Sequence, residues 1–217
     1  MDIFYIKDLI TLYCCELNSK DLIKFGAVSK YHNNFIKKNK WKNLTIKLSL
    51  EKNLLSMIKN YSFVNLDLSG TNVTDTSVSL LTNLHTLNLG FTKVTNASVS
   101  LLINLHILNL YNTNVTDASV SLLTNLHILN LRYTDVTDAS VSFLTNLHTL
   151  DLRSTKVTDA SVSLLTNLNT LNLRYTKVTD ASVSFLTNLH ILKLDYMNVT
   201  NKCKDFLRFN SVIIIEW

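Results

Sequence analysis

Proline is absent from the 217-residue chain, and glycine occurs only 3 times. Pro normally presets φ at turns and Gly supplies positive φ, so a fold built on many different tight turns is excluded. Asparagine is the next residue to tolerate the left-handed region. It occurs 26 times and is expected to serve the turns. Charge is scarce too, at 17% of residues against roughly 25% in an average globular chain. The 3 cysteines are an odd number and include the neighbours Cys14 and Cys15. That pattern is no disulfide framework and fits a reducing, intracellular compartment. No apolar run approaches the ~18 residues of a membrane span. The amino terminus does not read as a secretory signal, because Asp2 precedes the first Lys and Lys7 and Asp8 interrupt the apolar stretch. What is plentiful is apolar surface: 47% of residues are hydrophobic and 9% aromatic, which excludes a disordered chain.

The net charge of +5 is unevenly distributed. Residues 1–60 carry 11 Lys and 5 acids, a balance of +6, while residues 61–217 carry 10 basic and 11 acidic residues, a balance of −1. The basicity therefore belongs to one module. Its lysines are spread along helical patterns with few aromatics between them, the signature of a solvated face rather than of a nucleic-acid site.

From Phe63 onward the sequence repeats every 21 residues, with copies starting at Phe63, Leu84, Leu105, Leu126, Leu147, Leu168 and Leu189. In the copy Leu126–Asn146, Leu126, Leu129 and Leu131 give a short strand with one buried side, and Val136 returns inward. Thr137 is the expected N-cap of a short helical turn, with Asp138 at its positive end. Phe143 and Leu144 are expected to close the copy against the core. One copy buries too little apolar surface to offset the ordering of its backbone, so the copies must stack to fold.

This Leu-x-x-Leu-x-Leu grammar in seven copies resembles the leucine-rich repeats. The resemblance implies an α/β solenoid with parallel strands on a concave face and short helical turns on a convex face. The family usually carries Asn or Cys after the strand. Here that position is Thr71, Thr92, Thr113, Thr134, Thr155 and Thr176, with Met197 in the last copy, so a hydroxyl is expected to tie down the turn. The tail Ser211–Ile215 reads as a final half-repeat strand, with Ile213 and Ile215 in the register of Leu192 and Leu194.

Residues 1–62 follow a different grammar. Ile6, Leu9 and Ile10, then Leu17, Leu22 and Phe25, recur at helical spacing, with Asn18-Ser19-Lys20-Asp21 as a helix start. The run from Leu17 to Lys30, followed by Phe35, Trp41 and Leu44, resembles an F-box. The Leu-Pro that opens that family is Tyr5-Ile6 here, whereas Asp8 and Leu9 match. The resemblance implies a helical module over residues 1–45 that binds a Skp-type adaptor of a cullin ubiquitin ligase, a linker or capping segment over 46–62, and a solenoid over 63–217. Its adaptor-binding residues would be Ile6, Asp8, Leu9, Leu17, Leu22, Ile23, Val28 and Ser29. The competing reading is a helical cap that merely seals the first repeat.

Between the buried leucines, the fifth, seventh and eighth residues of each copy are expected on the concave face. Arg132, Arg153 and Arg174 then form a column about 4.8 Å apart per rung, beside Tyr111, Tyr133, Asp151, Tyr175 and Tyr196. Arg and Tyr dominate binding hot spots, and like charges in a column call for an acidic or phosphorylated target segment. The bland alternative is that Asp135 and Asp151 neutralise the column. His85, His106, His127, His148 and His190 share the second position, but Asn169 breaks that column and no Cys or acid accompanies it, so a copied surface residue is the expectation. No Gly-rich phosphate loop, Ser/His/Asp grouping or paired carboxylates occur. The expectation is a non-catalytic, cofactor-free recognition protein, without nucleic-acid or membrane partners.

Overall fold

The computed structural model describes residues 41–47, 63–195 and 199–216. Nine strands form one parallel sheet in sequence order: β1 Trp41–Lys47, β2 Phe63–Asp67, β3 Thr86–Asn88, β4 Ile107–Asn109, β5 Ile128–Asn130, β6 Thr149–Asp151, β7 Thr170–Asn172, β8 Ile191–Leu194 and β9 Ile213–Glu216. Single helical turns separate the strands from β2 onward: α1 Asp75–Val78, α2 Asn96–Val99, α3 Asp117–Val120, α4 Asp138–Val141, α5 Asp159–Val162 and α6 Asp180–Val183. A longer helix, α7 Asn201–Phe209, precedes β9. The adaptor-binding candidates Ile6, Asp8, Leu9, Leu17, Leu22, Ile23, Val28 and Ser29 lie outside the described residues, as do Tyr196 and Met197.

Six positions per copy make the core, five of them as expected and Val141 in place of Phe143. In one copy Leu126, Leu129, Leu131, Val136, Val141 and Leu144 are all buried, and the same columns run through the array as a single apolar cluster. Adjacent strands pair residue for residue at a spacing of 21, for example Leu129 with Leu150. Thr137 caps α4 by accepting from the Ala139 amide at 3.1 Å. The Thr134 hydroxyl donates to the Leu131 carbonyl at 2.6 Å, and its amide does the same at 3.1 Å, so the hydroxyl closes the turn.

Four expectations need correction. Strand β1 occupies Trp41–Lys47, within the segment read as helical module and linker, and pairs parallel with β2; the period-two spacing of Leu44 and Ile46 is the sequence sign of that strand. Phe143 does not pack inward: it is 59% exposed beside a buried Leu144. The final strand pairs Leu192 with Ile214, not Ile213. The nine-residue α7 makes the last copy 22 residues long, and a one-residue slip exchanges the faces of a strand. Ile213 is accordingly exposed, while Ile214 packs on the core. Finally, the left-handed positions are not served chiefly by Asn. Among the described residues they are Gly70, Phe91, Asn112, Tyr133, Ser154 and Tyr175, the eighth residue of the first six copies, and Ser211.

Candidate functional site

The concave face is a shallow groove about 490 Å³ in volume, floored by β2 to β8. Its floor carries the fifth residue of all seven copies and the third residue of the middle five, such as Ile128 with Asn130 and Thr149 with Asp151. Reading the strands from the fifth residue onward missed the third-position row; strict alternation around the buried fourth residue would have found it.

The fifth-position side chains aim the seventh. The Arg132 amide donates to Asn130 Oδ1 at 3.0 Å, the Arg153 amide to Asp151 Oδ1 at 3.0 Å and the Arg174 amide to Asn172 Oδ1 at 3.3 Å. Asp151 also accepts from Asn172 Nδ2 at 3.0 Å, so both its oxygens are engaged within the scaffold. The eighth residue then takes positive φ, 55° at Tyr133 and 56° at Tyr175. A tight turn is thereby completed, and each tyrosine is left beside the arginines.

The result is a column along one edge of the groove in the order Tyr111, Arg132, Tyr133, Arg153, Tyr175. Arg132 Cζ stands 4.9 Å from the Tyr111 ring centre and 5.0 Å from that of Tyr133; Arg153 Cζ stands 5.9 Å from Tyr133 and 5.2 Å from Tyr175. Such spacings fall within cation–π range. Hydrogen bonding to Arg132 and then to Ser154, together with the two guanidinium charges, holds the Tyr133 phenol below its usual pKa. The acids do not neutralise the column. Asp135 pairs instead with Lys156 at 2.7 Å on the surface. Among the described residues no carboxylate lies within ion-pair distance of Arg132 or Arg153. Arg174 differs, since its Nε donates to the Leu194 carbonyl at 3.3 Å and the next rung of its column is the buried Asp195.

The opposite edge carries the histidines. Backbone bonds such as His106 N–H to the His85 carbonyl, 2.9 Å, continue the strand ladder through the second position. The rings of His85, His106, His127 and His148 therefore stack at 4.3, 5.3 and 5.4 Å between centres, with planes within 8°. Burial, then the neighbouring His106 and His127, lowers the His85 pKa. Among the described residues no group of three or more His, Cys, Asp or Glu could hold a metal ion, and no helix is long and apolar enough to cross a membrane.

Comparison with known families matches a leucine-rich repeat over residues 122–144, 143–165 and 164–187. The chain carries leucine-rich repeats. The match covers repeats only and does not reach the segment that resembles an F-box. No curated protein matches the sequence. Among solved structures, internalin C2 from Listeria monocytogenes is similar at 23% identity and TM-score 0.62, over 74% of each chain. An internalin, inlF, from the same organism aligns at 21% identity and TM-score 0.62, over 84% of this chain and 55% of its own. The leucine-rich-repeat ectodomain of the Arabidopsis receptor kinase HAESA, solved with a peptide hormone ligand, aligns at 19% identity and TM-score 0.57, over 74% of this chain and 31% of its own. At these identities the likeness establishes the leucine-rich-repeat solenoid fold.

Proposed function

We propose that this chain is a non-catalytic, intracellular recognition protein whose concave repeat face binds a segment of a target protein. The observation that carries the reading is the Tyr111–Arg132–Tyr133–Arg153–Tyr175 column, with two guanidinium groups that no described carboxylate neutralises. Hydrogen-bonded turns that follow the strands hold these side chains, and aromatic and Arg side chains are the anchors that dominate protein interfaces. Tyr111, Arg132, Tyr133, Arg153, Arg174 and Tyr175 form the target site, with Asp151 as a positioning residue. The peptide hormone seated on the HAESA ectodomain supports this use of the fold.

The finer reading is that the chain recruits targets to a cullin ubiquitin ligase, residues 1–45 holding a Skp-type adaptor. It is supported by the F-box resemblance of Leu17–Lys30 and by that segment's position before a repeat array. The function is then proximity: the repeats raise the local concentration of the target at a ligase whose other subunits do the chemistry. Co-purification with a Skp-type adaptor tests it. Wild-type chain should retain the adaptor, and Leu22→Asp or Val28→Asp should release it. If the wild type retains none, the chain is a scaffold without a ligase link.

A further inference from the structure

We propose that Arg132 and Arg153 form a clamp for a single phosphoryl dianion on a phosphorylated side chain of a protein partner. This deepens the reading of the concave face as a recognition surface and depends on it. The two arginines follow adjacent strands, β5 and β6, so their rungs lie about 4.8 Å apart. Each guanidinium is flanked by two tyrosine rings. These ring contacts restrict both guanidinium groups. The Nε atoms of both arginines are buried and meet no acceptor, so the terminal Nη groups are the donors this edge offers, with Arg132 also hydrogen-bonding the Tyr133 phenol.

Charge and spacing select the ligand. Two cations one rung apart repel, and a phosphoryl group brings about −1.5 to −2 charge with three acceptor oxygens in one place. It can take donors from both arginines at once, as planar guanidinium forks do with phosphate. Carboxylates on one face of an extended segment recur every second residue, about 6.6 Å apart. That is wider than the rung, and each brings only one charge. A single-stranded nucleic acid would need free ring faces on which to stack its bases, and two guanidinium groups already stand over the Tyr133 ring, at 5.0 and 5.9 Å. Asp195 beside Arg174 ends the positive edge, which places the clamp on the first two arginines.

The test uses the full chain and fluorescence anisotropy with four labelled probes: a Gly/Ser peptide with one central phosphoserine, the same peptide with Glu or with unmodified Ser there, and oligo-dT. The phosphoserine peptide should bind at least about tenfold tighter than the Glu peptide, a difference of roughly 1.4 kcal/mol. Arg132→Gln and Arg153→Gln should each abolish that preference, and Arg132→Lys should lower it, since Lys keeps the charge but loses the fork. Arg208→Gln, whose arginine pairs with Asp205 and Glu216, should leave it unchanged. Thermal unfolding of each variant separates loss of the clamp from loss of the fold. Equal binding of the Glu and phosphoserine peptides overturns the dianion clamp while leaving an anion-binding concave face standing. Tighter binding of oligo-dT assigns the column to nucleic acid. Absence of binding by any probe overturns the clamp, and the wider reading is then judged by capture of the target itself.

Discussion

At Phe91, Tyr133 and Tyr175 the backbone holds bulky residues at φ between 55° and 58°, a region costing an L-residue about 1–2 kcal/mol. The repeat needs this conformation once per copy. The first copy meets it with Gly70 at φ 66°, whereas the later copies spend it on side chains that reach the groove edge. Ser154 has φ 56° and hydrogen-bonds the Tyr133 phenol, so in a Tyr133→Phe background, where that bond is already absent, Ser154→Gly should raise stability by about 1 kcal/mol, or some 2–4 °C for a chain of this size. Gly70→Ala should lower it by a similar amount of about 1 kcal/mol through backbone strain alone, because nothing lies within 4 Å of the added Cβ. Calorimetry on both variants checks the pair, and equal melting points would contradict it. The scarcity of glycine was legible in composition, but the residue that replaces it was not. Asn takes only Asn112 of the repeat's left-handed positions. Most array asparagines do other work: Asn130 sets the amide of Arg132, and Asn146 Nδ2 bridges to the Thr124 carbonyl of the preceding copy at 2.9 Å. A composition count cannot separate these duties, since they are set by position within the copy, as at Asn130, or by a neighbour 22 residues away, as at Asn146.

Each helical turn opens with a residue that serves the next copy. Asp138 accepts from the Thr158 amide at 2.9 Å, the Thr158 hydroxyl at 2.6 Å and the Ser161 hydroxyl at 2.5 Å. The same ladder runs from Asp75, Asp117 and Asp159, with Asn96 as the one amide rung. Thr137 as a cap could be read from sequence; this ladder could not, because its partners stand 20 and 23 residues downstream and meet only once the copies stack. Asp138→Ala should cost about 1–3 kcal/mol by leaving the buried Ser161 hydroxyl and the Thr158 amide unpaired. Asp138→Asn should cost much less, as Asn96 demonstrates, with urea titration as the measurement. Burial raises the pKa of Asp75, Asp117, Asp138 and Asp159, but the hydrogen bonds outweigh it and hold each carboxyl below its ordinary value. The unfolded chain therefore takes up these protons first, and stability is lost as pH falls through about 3.9 and below. The lowered pKa of His85 acts in the same direction in a higher window: the unfolded chain binds that proton first, so stability declines as pH falls below about 6.5. Melting temperature against pH should show both declines, and His85→Asn should remove the upper one. A flat profile between pH values of about 7 and 5 would contradict the histidine assignment.

Across the whole molecule, the constant register is what turns short strands into one surface. Strand pairing holds at 21 residues from β2 to β8. In-frame removal of the 21 residues 126–146 should therefore leave a cooperative solenoid one rung shorter. Removing one residue fewer leaves a 22-residue copy without the longer helix that takes up the extra residue before β9, so that variant should melt below the in-frame deletion, with thermal unfolding of both as the readout. The array, its core columns and its arginines were legible because periodicity amplifies every feature. The end of the array was not, since the longer α7 breaks the period and moves Ile214 rather than Ile213 onto the core. The Tyr/Arg column is the proposed target site of the solenoid. Proteins captured by wild-type chain and by Arg153→Glu, quantified side by side with the thermal transition of each, test it most directly. The variant should melt within a few degrees of wild type and lose the captured target; an unchanged set of captured proteins would show that the column is not the target site.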